Sequence, residues 1–477
     1  MTASPLPAAA LALPSRAGAT RSPPGPSFRG WAVVAGSFLV QALCFGAVYS
    51  FPAFAAPLQA SFGASDVSIS LVYAVCGAMA FATGAVSGPL ADRVGARWPV
   101  SAGMLVMAAG FLLASAAERF ETVLLSYGLL VGTGAGLAYV PALAAVQRWF
   151  VTWRGLASGI ATAGVGAGTA MVPVTAALLS AWGDWRVSFA IAGTAIALLG
   201  PAAALLIASS PEACGLRPDG AAGPAPRDES AGGAVLEGTG LRQAIRTRRF
   251  LGLVAGCFLL SVPVALPFAG IATTAREAGL DARQALLLLS FIGGGSVGGR
   301  LLLGAGADRL GRERVLVACG LGIAAMMGWW ACAAGPLGYA LFALVFGVAQ
   351  GGFVALMPGL VVDLYGRRSA GALIGALFAG RALAVLTAPP CAAALAPVMG
   401  QAGPLWGAGA LALLGTLLLA RAARRGGGAV RPIAPLSLRA SAPSAARTGL
   451  ARRGEHHLPS PAAPGRVPAG QGLRPAA

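Results

Sequence analysis

The sequence predicts an all-α membrane protein with twelve transmembrane helices arranged as two pseudo-symmetric bundles of six. Three observations carry that expectation. The 477 residues are 57% hydrophobic and only 10% charged, with a mean hydropathy of +0.75, far from the composition of a water-soluble domain. Apolar runs of about 20 residues recur along most of the chain, each long enough to cross a hydrocarbon core about 30 Å thick as a helix. One long polar interruption divides those runs six and six.

Taken in order, residues 1–28 are rich in Ala, Pro, Ser and Arg and hold no acid, which reads as a disordered leader. Ala8 to Leu13 could pass for a short signal core, but the positive segment a signal peptide needs is missing before it. The first bundle, 29–208, carries spans at 31–55, 67–90, 98–117, 121–146, 155–180 and 186–208. A central loop follows at 209–249, whose end, Arg242 to Arg249, has the look of an amphipathic lead into the seventh helix. The second bundle, 250–422, carries spans at 250–274, 284–306, 315–334, 336–362, 369–396 and 403–422, with Gly335, Pro336 and Gly338 leaving only a tight turn between the ninth and tenth. Residues 423–477 mix Arg, Pro, Ala and Gly without helical periodicity and read as a disordered tail.

All 34 basic residues are arginine. With the N-terminus on the cytoplasmic side, 28 of them fall on that side and 4 on the other; without the long tail the balance is still 18 to 4. Positive-inside bias therefore places both termini in the cytoplasm of a plasma (inner) membrane. A net charge of +18 would point to nucleic acid in a soluble chain; here it is membrane topology, and the expected surroundings are the lipid bilayer and a monomer. The seven cysteines are scattered without CxxC spacing, and the only histidines are His456 and His457 in the tail. That leaves no disulfide framework, metal or cofactor site, and no nucleophile–base pair of an enzyme.

The halves are related by more than helix count. Gly88-Pro89-Leu90-Ala91-Asp92-Arg93-Val94-Gly95-Ala96-Arg97 is echoed by Gly304-Ala305-Gly306-Ala307-Asp308-Arg309-Leu310-Gly311-Arg312 at an offset of 216. Pro141 pairs with Pro358 at 217 and Gly159 with Gly375 at 216, a near-constant spacing that argues for duplication. Both motif copies fall in short loops, after the second and eighth spans.

There the chain resembles the major facilitator superfamily, from about 31 to 422. The resemblance implies alternating access around a midplane site, with Gly88, Asp92, Arg93, Gly95, Arg97 and Gly304, Asp308, Arg309, Gly311, Arg312 closing the cytoplasmic side as a gate. Ala96 stands where the family usually has a basic residue and Gly306 where it has an apolar one, departures expected to weaken each gate. Gly183-Asp184-Trp185-Arg186-x-x-Phe189 is similar to the family's element before the sixth helix. Gly164, Gly166 and Gly168, followed by Pro173, resemble a glycine-rich element of antiporter branches, although small residues also simply let helices pack closely. Tyr139-Val140-Pro141, Gln147-Arg148-Trp149-Phe150 and Arg154 to Gly159 resemble the monocarboxylate-porter and oxalate/formate-antiporter branch. In that branch the arginine matched by Arg300 holds a carboxylate, and Arg381 falls where oxalate/formate antiporters carry a second cation.

Arg300 and Arg381 also stand out on physical grounds, as the only charges away from the ends of the spans. A cation in a membrane helix costs about 2.5 to 3.5 kcal/mol and normally faces a cavity with a partner, yet no acid lies in the interior of any span. An anion that comes and goes would supply the missing charge. Two guanidinium forks suit a small mono- or dicarboxylate, with Gln41, Tyr49 and Tyr139 completing the cage by hydrogen bonds. Arg381 is too deep to snorkel; Arg300 could instead reach Asp308. Ser296 occupies the position where the monocarboxylate branch often has a proton-coupling aspartate, so anion exchange is the expected mode. The alternatives are a proton-coupled symporter, a drug or sugar facilitator of the same fold, and a transporter-like anion sensor.

Overall fold

The computed structural model describes residues 28–180, 184–221, 227–228, 233–234 and 236–424. The leader up to residue 27, the tail from 425, Gly183 and the side chain of Pro173 lie outside the described residues. Among the described residues there are twelve long helices, numbered α1 to α12. They are Gly30–Ser50, Val67–Val94, Arg97–Ser115, Phe120–Trp149, Arg154–Ser180, Trp185–Leu205, Arg248–Glu277, Ala282–Leu310, Arg312–Cys332, Gly335–Tyr365, Ala370–Met399 and Gly403–Arg424. Eleven are long and apolar enough to cross a membrane, and α5, at 27 residues, is the twelfth.

Polar residues in the connections start several of these helices. Asp281 and Gln284 form a reciprocal capping box at α8, Asp184 accepts from the Arg186 amide at α6, and Thr247 accepts from Phe250 at α7. Each satisfies backbone donors that have no partner within the helix.

Two boundaries depart from the apolar runs. Asp92 and Asp308, expected in loops, occupy the last turns of α2 and α8, which continue to Val94 and Leu310. Hydropathy marks where lipid ends, whereas the helical ladder runs on until glycine stops it: Gly95 has φ +87° and Gly311 φ +95°, a region that side-chain-bearing residues rarely adopt. The first span, expected to reach 55, ends at Ser50 and gives way to a tight turn, Phe51–Phe54, and a short helix, Ala55–Phe62. Pro52 has no amide to donate to the ladder there.

The same helix neighbours recur six helices apart. α1 packs along α5 as α7 packs along α11, α3 along α6 as α9 along α12, and α3 along α4 as α9 along α10. The two halves meet chiefly through α2 against α11 and α5 against α8. The ends of these helices that carry Asp92 and Asp308 define one face of the protein, called here the motif face.

The central segment lies across that face. Ser209 Oγ accepts from the Ala96 amide, and the Trp149 indole donates to the Ala208 carbonyl. The Asp219 carboxylate collects the amides of Val151, Thr152 and Trp153 before α5. Further along, the Glu237 carbonyl accepts from the Arg367 and Arg368 amides, and Thr239 donates to Tyr365. A minimal antiparallel pair, Arg227–Asp228 with Gly233–Ala234, is the one sheet among the described residues.

Candidate functional site

The gate residues and the arginine layer lie along the two helix crossings between the halves. In α2 against α11, a Cβ on Gly88 would collide with the Gly371 carbonyl, and one on Gly375 with the Gly84 carbonyl. In α5 against α8, a Cβ on Gly155 would collide with the Gly304 carbonyl, and one on Gly159 with the Arg300 carbonyl. Adding 216 to Gly84, Gly88, Gly155 and Gly159 gives Arg300, Gly304, Gly371 and Gly375, so one packing solution is used twice. Backbone approach this close is open only to residues without a side chain.

Each crossing is locked by an aspartate on the positive end of the opposing helix. Asp308 accepts from the amides of Gly155 and Leu156, both at 2.9 Å, at the start of α5. Asp92 accepts from Gly371 at 3.0 Å and Ala372 at 2.8 Å, at the start of α11. A carboxylate there satisfies orphan amides and meets the favourable end of the helix dipole.

Ion pairs surround both locks. Arg312 joins Asp308 at 2.8 Å and also Asp363, which in turn holds Arg154 from the other half. Asp92 pairs with Arg148, whose backbone and side chain exchange bonds with the Arg367 main chain and guanidinium. Arg367 also pairs with the buried Glu212 of the central segment at 2.8 Å. In the first half Arg148 takes the place that Arg312 fills in the second, and Ala96, the departure from the motif, is fully buried.

Not every motif residue joins this lock. Arg93 and Arg309 are exposed and make no ion pair among the described residues, and Arg97 donates to Leu205 within its own half. Gly95 and Gly311 act by ending their helices. The motif does not point to Arg154, Asp363, Arg367 or Glu212, because Arg154 meets Asp363 across 209 positions and Arg367 meets Glu212 across 155, with no spacing rule to connect them.

Behind the locks lies a layer of polar groups in an apolar interior. Gln41, Tyr139, Arg300 and Arg381 are each ten or eleven residues from the motif-face end of their helices, which places them about 15 Å in by helical rise. Arg300 is 1% exposed and Arg381 5%. Arg300 does not reach Asp308, which is fully engaged elsewhere, and neither guanidinium makes an ion pair among the described residues. Nε and Nη1 of Arg300, Nε of Arg381 and both amide atoms of Gln41 are buried without any hydrogen-bond partner. Such groups are few in folded proteins, and each calls for an explanation.

The glycine-rich stretch of α5 divides its work. Gly164 and Gly168 face α1, where a Cβ would strike the Phe38 and Ala42 carbonyls, while Gly166 faces α8, with a Cβ only 3.1 Å from Arg300 Nη1. Gly166 thus makes the space in which the Arg300 guanidinium sits. Ser296, one turn before Arg300, donates to Gln350 on α10 at 2.9 Å.

Aromatic rings line the layer and bridge the halves. The Arg381 guanidinium lies 4.7 Å from the Phe81 ring centre, Tyr139 stacks on Phe378 at 5.4 Å and 4°, and Phe45 meets Tyr139 edge-on at 4.9 Å. Tyr49, about two turns further from the motif face, stacks on Phe268 at 5.4 Å and 13°. Phe45, Phe81, Phe268 and Phe378 were not legible as site residues, since a phenylalanine in a membrane helix carries no mark of which way it faces.

Comparison with known proteins agrees with this architecture. Residues 37–377 match the family model described as Major Facilitator Superfamily. The chain is 28% identical over 382 residues to the MFS transporter asaE of Aspergillus flavus, covering 78% of this chain and 81% of that one. It is 28% identical over 376 residues to monocarboxylate transporter 3 of Rattus norvegicus, covering 77% and 74%. Among solved structures, the proton:xylose symporter XylE aligns with a TM-score of 0.65 at 16% identity over 81% of this chain and 94% of its own. The human organic anion transporter MFSD10 aligns with 0.63 at 16% identity over 82% and 99%. With two six-helix halves, two symmetric glycine crossings and this match, the chain belongs to the Major Facilitator Superfamily, as a multi-pass secondary transporter of small organic solutes and not an enzyme.

Proposed function

We propose that this transporter carries a small organic carboxylate by alternating access, and that it does so by anion exchange. The observation that carries the reading is the pair Arg300 and Arg381, buried in one layer with bare donor atoms and no resident acid among the described residues. A guanidinium fork matches a carboxylate in a site that excludes water, and Gln41 adds a donor and an acceptor with no other use. Two of the relatives are named monocarboxylate transporters and one structural neighbour an organic anion transporter, in keeping with an anionic substrate. The bundles 29–208 and 250–422 are the moving bodies, and the motif face is cytoplasmic on the distribution of arginine in the loops. The two ion-pair clusters hold the motif face shut, in keeping with a state closed on that side.

The test is a thermal-stability panel of carboxylates against the purified wild type, Arg300→Ala and Arg381→Ala. Carboxylates are expected to raise the melting temperature of the wild type by several degrees through ligand linkage, and neither variant should respond at the same concentrations. Stabilisation that survives both substitutions would remove the proposed site.

A further inference from the structure

The arginine layer has a second chemical character that a bare carboxylate would leave unused. The rings between the halves form one connected set: Phe45, Phe81, Tyr139 and Phe378 about the guanidiniums, then Tyr49 on Phe268 beyond them. The inner rings are buried, whereas Tyr49 and Phe268 are half-buried, so that their surfaces are the ones still open to an occupant. The two arginines also differ. Arg381 already has the Phe81 face as a partner, an attraction of the ring quadrupole for a cation. Arg300 has only the gap left by Gly166, with two bare nitrogens.

Resting on the carboxylate reading, we infer that the favoured substrate is an aryl monocarboxylate, its carboxylate on Arg300 and its ring against Tyr49 and Phe268. A compact dianion such as oxalate would satisfy both guanidiniums but bring only polar oxygen to walls made of aromatic faces, which lose water with nothing apolar in return. An aromatic ring attached to one carboxylate matches both ends: the charge meets the guanidinium that lacks a ring partner, and the ring joins the stack in an offset or edge-on arrangement. Because Tyr49 belongs to the first half and Phe268 to the second, a ring placed against both touches each moving body.

The experiment measures thermal stabilisation of the purified full chain by benzoate, 3-phenylpropanoate, acetate, oxalate and the neutral benzyl alcohol. A substrate ring packed against one or two aromatic neighbours should let benzoate or 3-phenylpropanoate half-saturate at about tenfold lower concentration than acetate or oxalate, and benzyl alcohol should do nothing in that range. Phe268→Leu keeps apolar bulk while removing the ring; it should bring the aryl acids to within about threefold of acetate, the ratio of the two half-saturating concentrations being the readout. Acetate or oxalate equal to the aryl acids overturns this inference and leaves the carboxylate reading standing. No response to any acid overturns both. Benzyl alcohol as effective as benzoate overturns both as well, in favour of a facilitator for neutral aromatic compounds.

Discussion

Gly164, Gly166 and Gly168 are alike in the sequence, yet they face different neighbours, and their substitution should separate packing from ligand binding. Gly164→Ala drives a methyl into the Phe38 carbonyl, a rigid backbone atom, and should cost about 1–3 kcal/mol as overpacking, read as a fall in melting temperature without ligand. Gly166→Ala meets first the side chain of Val297 and the Arg300 guanidinium, with the Gly293 carbonyl further off at 3.2 Å. It should lower unliganded stability less, but raise the carboxylate concentration needed for stabilisation severalfold, because the methyl takes up the gap beside Arg300. Equal loss of ligand response in both variants would show that Gly166 has no special part. At this scale the sequence revealed what is chemically anomalous: two cations within apolar runs. It did not reveal Phe81, Phe378 or Phe268, whose chemistry is ordinary for a membrane helix and whose roles come from facing the opposite half. Nor did it reveal that Arg148 would serve Asp92 where Ala96 cannot.

The helices themselves were legible because length and hydropathy are local properties, and all twelve lie where apolar runs of about 20 residues predicted them. Their ends were less so, since Asp92 and Asp308 continue the helical ladder beyond the lipid-facing stretch. That displacement matters to the gate: an aspartate in the last turn projects at the neighbouring helix start, whereas a loop aspartate need not. Removing it should loosen one crossing. Asp308→Ala leaves the Gly155 and Leu156 amides without acceptors and Arg312 with Asp363 alone, at a cost of about 1–3 kcal/mol in the closed motif face. Cys257, nine residues into α7 and 1% exposed, is a native probe of that closure. In a Cys214→Ser background, a membrane-impermeant thiol reagent supplied from the motif-face side should modify Cys257 faster in Asp308→Ala than in its parent, as read by mass spectrometry of the site. An unchanged rate would mean that the carboxylate does not hold the face shut.

For the molecule as a whole, the question is whether the empty protein can change sides. Reorientation must break the links between the halves at the motif face, Arg154 with Asp363, Asp308 with the Gly155 and Leu156 amides and Asp92 with the Gly371 and Ala372 amides, together with the Glu212–Arg367 link through which the central segment spans both halves. Those groups pass into water and largely recover their solvation. Arg300 and Arg381 do not: they stay in the interior, and in a closed intermediate their bare donors have neither water nor counter-charge. The Phe81 face offsets part of this for Arg381 only, by about 0.5–2 kcal/mol, while an unpaired buried charge costs several kcal/mol. A bound carboxylate removes most of that penalty, so turnover should require an anion in each direction. In proteoliposomes, uptake of labelled benzoate should be fast when the lumen holds unlabelled benzoate and slower by about tenfold or more when it holds none, each 1.4 kcal/mol of barrier being a factor of ten in rate. An imposed proton gradient should not restore the rate, since no acid lies beside the arginines among the described residues and Ser296 is already bonded to Gln350. Rapid net uptake into anion-free vesicles, driven by that gradient, would show that the empty carrier reorients and that the two arginines find compensation from the protein itself.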